Sequence, residues 1–116
     1  MTFILGDLYN SPEVHVGDIG TRFVTTIYDQ DSNIVPLQDA VSIKFRFYKP
    51  DRTSLDKTAG LETDGTDGKA YYVSETGLFD ISGNWKYCVI VELVAGTWSS
   101  NWIEFTVYPI IPAPTP

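Results

Sequence analysis

Phe79-Asp80-Ile81-Ser82-Gly83-Asn84-Trp85-Lys86-Tyr87-Cys88-Val89-Ile90-Val91-Glu92-Leu93 decides the fold. An Asp-x-x-Gly turn opens it. Trp85, Tyr87, Val89, Val91 and Leu93 then recur at every second position, and a period of two places them on one face of a strand. Trp and Tyr are the largest bodies a small core can bury. The stretch reads as the central strand of a β-sandwich. Trp98 to Tyr108 reads as its hairpin partner across a turn at Val94-Ala95-Gly96-Thr97. On that partner, Ile103, Phe105 and Val107 are expected inside and Trp98, Trp102, Glu104 and Thr106 outside.

Working outward, Val41 to Tyr48 alternates in the same way, with Val41, Ile43, Phe45 and Phe47 on the expected inner face. Thr21 to Tyr28 is a strand with Phe23, Thr25 and Ile27 inward, and Lys69 to Val73 is another. Glu13 to Val16, Ile34 to Leu37 and the polar stretch Ser54 to Thr63 are edge strands. Pro36 confines the second to an edge because it cannot donate to a ladder. Asp29-Gln30-Asp31-Ser32-Asn33, Lys49-Pro50-Asp51-Arg52-Thr53 and Asp64-Gly65-Thr66-Asp67-Gly68 are turns. Thr76 to Phe79 is expected to form one helical turn. This spacing gives an all-β fold, an immunoglobulin-like antiparallel β-sandwich of about seven strands over residues 13–108. Residues 1–12 form an N-terminal arm and residues 109–116 a proline-rich extended tail.

The 116 residues fit one domain, and 43% hydrophobic content is enough for a core. Eight Lys and Arg against 15 Asp and Glu give a net charge of −7. Such a chain repels phosphate backbones, so no nucleic-acid partner is expected. No apolar run reaches the roughly 18 residues of a membrane helix, so no membrane partner is expected either. The N-terminus shows no secretory signal. With Cys88 as the one cysteine, no disulfide can close within the chain.

Catalytic machinery is not evident. His15 is the single histidine and has no second histidine or cysteine near it in sequence. Cys88 lacks a nearby base and reads as an inert packed residue. Asp29-x-Asp31-x-Asn33 begins like a calcium loop, but Ile34 stands where such a loop needs Gly. No enzyme activity, catalytic residue, metal or cofactor is assigned.

The unusual residues are apolar ones in outward phase: Cys88, Ile90, Val94, Trp98 and Trp102. A monomer rarely exposes a large apolar patch without a use for it. Together with Phe3, Ile4 and Leu5 of the arm and Ile110 and Ile111 of the tail, they are the candidate interface residues. An interface is preferred to sugar stacking because interface centres are rich in Trp and poor in charge.

A set of short motifs supports this picture: Val16-Gly17-Asp18-x-Gly20-Thr21, Lys49-Pro50-Asp51, Thr66-Asp67-Gly68-Lys69 before Tyr71-Tyr72, Asp80-x-x-Gly83-x-Trp85, Trp98-x-Ser100, and Phe105-x-Val107. Their order resembles small immunoglobulin-like virion proteins of tailed bacteriophages, similar to the N-terminal domain of phage baseplate upper proteins. That family often has Gly where Arg52 stands, and its baseplate members continue into a fibre region beyond the point matching Pro116. The resemblance implies a non-enzymatic virion structural protein: a tail or baseplate adaptor, a fibre anchor or a capsid decoration subunit. Such a protein is made in the host cytoplasm and carried in the virion. Its partners would be other virion proteins in a multimeric assembly, and a host surface glycan is a further candidate. The alternative is a carbohydrate-binding module that stacks sugars on Trp98 and Trp102.

Overall fold

The computed structural model describes residues 4–5 and 14–109. Its axis is β8 (Gly83–Leu93), the longest strand, at 11 residues. Trp85, Tyr87, Val89 and Val91 are buried along one face of it, as the period of two predicts. The Trp85 indole N–H donates to the Ile81 carbonyl at 3.0 Å, so this buried polar atom is satisfied.

β4 (Ser42–Tyr48) pairs antiparallel along one edge of β8, from Ser42 opposite Glu92 to Tyr48 opposite Lys86. β5 (Ser54–Thr58) pairs with β4 and forms that outer edge. Along the other edge of β8 run β9 (Gly96–Ser99) and then β10 (Ile103–Tyr108). β2 (Val14–His15) adds to β10 in parallel, a departure from an all-antiparallel sandwich. The smaller sheet has the order β1 (Ile4–Leu5), β3 (Arg22–Tyr28), β7 (Lys69–Val73), β6 (Gly60–Leu61). The described residues thus form an all-β, immunoglobulin-like sandwich without a helix. Seven of its ten strands have four or more residues.

The two sheets meet through aromatic rings. Phe23 of the smaller sheet lies edge-on against Phe47, Tyr87 and Phe105 of the larger, each at 5.4 Å between centroids. Such pairs add about 0.5–1.5 kcal/mol each beyond the area they bury. Trp85 packs edge-on against Phe79 at 5.4 Å.

Several expectations need correction. Val41 is not inside but 61% exposed: the ladder begins at Ser42, and only the Val41 N–H joins it, through the Glu92 carbonyl. Ser54 to Thr63 is not one strand. β5 leaves the larger sheet at Ala59, whose N–H still bonds to the Ile43 carbonyl, and the chain crosses to the smaller sheet as β6. Ile34 to Leu37 makes one bridge, between Ile34 and Tyr28, and then buries Leu37 without forming a strand. At Thr76 to Phe79 a bend closed by the Leu78 N–H on the Glu75 carbonyl replaces the helical turn. Residues 1–3, 6–13 and 110–116, expected to form most of the N-terminal arm and the proline-rich tail, lie outside the described residues.

Candidate interaction surface

The expected single strand from Trp98 to Tyr108 is broken by a β-bulge. Ser100 faces Val89, giving its N–H to the Val89 carbonyl. Ile103 faces Tyr87. Asn101 and Trp102 therefore both stand opposite Cys88. Two residues against one is the definition of a bulge, and it inverts the side-chain phase beyond it. Ser100 clamps the bulge: its hydroxyl accepts the Val89 N–H at 2.8 Å and donates to the Asn101 carbonyl at 2.9 Å.

The inversion divides the two tryptophans. Before the bulge, Trp98 faces Val91 and packs half-buried against the core, on the inner side that sequence parity denied it. After it, Ile103, Phe105 and Val107 are buried. Trp102 alone of the pair emerges on the outer face, 41% exposed. The platform of two tryptophans expected for sugar stacking is therefore not formed.

Trp102 is braced there. Its ring meets Tyr48 of β4 edge-on at 4.6 Å, reaching across β8. The Lys86 ammonium lies 5.6 Å from the Trp102 ring and 5.9 Å from the Tyr48 ring, within cation–π range. Beside them Arg46 grips Asp56 with two hydrogen bonds, at 2.7 and 3.0 Å. That fork holds the Asp56 carboxyl below, and the Arg46 guanidinium above, its ordinary pKa.

The other candidates separate. Cys88 shares the outer face but is buried, between Arg46 on one strand and the bulge on the other, and burial pushes its thiol up to about 11. A thiol held protonated is a poor nucleophile. Ile90 is half-buried on the same face. Val94 stands apart at the tip of the β8–β9 hairpin, 93% exposed. Ile4 and Leu5 form β1 on the smaller sheet, away from this face. Phe3, Ile110 and Ile111 lie outside the described residues. The sequence reading missed Tyr48, Lys86 and the bulge.

The outer face is electrically balanced. Strand alternation puts Lys44, Arg46 and Lys86 on it, with Asp56, Glu92 and Glu104. The net −7 of the chain thus resides elsewhere. Among the described residues no group of three or more His, Cys, Asp and Glu side chains is placed to hold a metal ion. Asp29 instead closes its own turn, accepting the N–H groups of Asp31 and Asn33, both at 2.9 Å. His15 gives its backbone N–H to Asp18 and lays its ring 5.7 Å from Tyr108.

No family model matches the chain, and no curated protein matches it. Among solved structures, the chain is similar to CopC from Methylosinus trichosporium OB3b, at 14% identity and a TM-score of 0.59. The match covers 96% of this chain and 98% of that one. It overturns the virion structural role: the architecture under the turn motifs is shared, nearly end to end, with CopC rather than tied to a virion component. The motifs report where a β-sandwich turns. At this identity the likeness is one of fold, an immunoglobulin-like β-sandwich.

Proposed function

We propose that the chain is a non-enzymatic association module that binds a second copy of itself through the outer face of the larger sheet, with Trp102 as anchor. The observation that carries this reading is the exposed Trp102 ring, turned outward by the bulge and held in place by Tyr48 and Lys86. A large side chain that is already fixed loses little rotamer freedom on binding, which favours it as an anchor. Charge supports the same partner. A two-fold interface sets a patch against itself, so a patch of one sign would repel its copy. Three cations and three anions on this face allow opposite charges to meet.

Sedimentation velocity over a range of concentrations tests this reading. The chain is expected to pass from monomer to dimer as concentration rises. Trp102→Glu is expected to stay monomeric, while Val73→Glu, at an exposed site on the smaller sheet, is expected to dimerise normally. A wild-type chain that stays monomeric at all concentrations, or a Trp102→Glu dimer, would contradict it.

A further inference from the structure

A cleft opens where β5 leaves the larger sheet and crosses to β6. The crossing parts the two sheets at one corner, next to the segment that carries Leu37. The cleft measures about 270 Å³. Leu37, Ile43, Ala59 and Leu61 give it an apolar lining, and Val41 is exposed beside them. Gln38, Ser42 and Thr58 supply neutral polar groups. Lys44 is the single charged residue of the lining.

We propose that this cleft binds a small monocarboxylate with a short apolar chain. The inference does not require association, although Lys44 lies on the same outer face. Lys44 is exposed, and Asp56, the carboxylate on which it acts through space, is gripped by Arg46. Several other cations of the larger sheet and its turns are engaged: Arg46 with Asp56, Lys49 with Asp80, Lys57 with Glu75, Lys86 with the two rings, while Arg52, exposed in the β4–β5 turn, does not line the cleft. A positive charge beside an apolar recess matches a ligand with one negative charge and an apolar body. Small-molecule sites combine these features, an apolar recess and few polar groups that fix orientation. The volume suits a chain of a few carbons, since a water molecule occupies roughly 30 Å³. The overall negative charge slows the approach of an anion but is screened by salt beyond about 10 Å, so contacts inside the cleft decide affinity.

The test is calorimetric titration of the full chain at moderate salt with hexanoate, hexanol and acetate, repeated on Lys44→Gln. Hexanoate is expected to bind saturably at one site. Hexanol, which lacks the charge, and acetate, which lacks the body, are each expected to bind about tenfold more weakly, the equivalent of one lost charge-assisted contact. Lys44→Gln is expected to lose affinity for hexanoate by a similar factor and to leave hexanol unchanged. Hexanoate that fails to saturate, hexanol that binds as tightly as hexanoate, or a Lys44→Gln variant that binds hexanoate normally would each overturn the proposal. Amide shifts on titration provide a second readout and are expected at Ile43, Lys44 and Ala59. Shifts confined to other residues would overturn the assignment of the site.

Discussion

Thr25 and Arg52 each sit in surroundings or a conformation that the side chain does not favour. Thr25 is fully buried on β3, and its hydroxyl finds no hydrogen-bond partner among the described residues. A buried unpaired hydroxyl costs roughly 1–3 kcal/mol. Thr25→Val keeps the shape and removes that group, so urea unfolding is expected to show about 1 kcal/mol of added stability. A loss of stability would mean that the hydroxyl is satisfied. Arg52 holds φ at 71°, in the turn closed by Asp51 and Thr53. Side chains with a Cβ disfavour this region by roughly 1–2 kcal/mol, and Gly does not. Arg52→Gly is expected to be neutral or stabilising despite the greater freedom it gives the unfolded chain. A drop of more than about 1 kcal/mol would show that the Arg52 side chain does more than the backbone suggests.

At the scale of elements, the bulge between β9 and β10 decides which side chains meet the core. Its clamp is a single hydroxyl, that of Ser100. Ser100→Ala leaves the Val89 N–H inside the protein without its side-chain acceptor and is expected to cost about 1–3 kcal/mol in urea unfolding. A cost near zero would mean that the bulge holds without its clamp. The strands with unbroken alternation were legible in the sequence. Ile43, Phe45 and Phe47 on β4, and Trp85, Tyr87, Val89 and Val91 on β8, are all buried as their period requires. Trp98 and Trp102 were not legible, because one extra residue inverts phase while leaving composition unchanged. Nor was the division of β5 from β6, since alternation within a strand does not record which sheet the strand joins. The candidate site was legible only as the presence of outward tryptophans. Tyr48 and Lys86 reach Trp102 from other strands, a proximity that depends on register.

At the scale of the molecule, charge sets the response to pH. Asp51, Asp56, Asp64 and Glu75 are all held below their ordinary pKa values. The main causes are hydrogen bonds from Thr53, Arg46, Thr66 and Lys57 respectively. A depressed native pKa means that the unfolded chain takes up protons first. Their contribution is therefore complete above the ordinary carboxyl values of 3.8 and 4.5 and is lost as pH falls through the lowered native ones. The melting temperature is expected to fall modestly below about pH 4, because these carboxylates are exposed and screened by solvent, and an acid-insensitive melting temperature would contradict these pairings. The proposed association requires the bulge to send Trp98 inward and to bring Trp102 out to meet a second copy. The three tryptophans give three indole N–H signals in a proton–nitrogen correlation spectrum, so one concentration series tests it directly. Raising the protein from micromolar to millimolar is expected to shift or broaden the Trp102 signal and to leave Trp85 and Trp98 in place. Three signals that stay fixed, or a response at Trp98 in place of Trp102, would contradict the account.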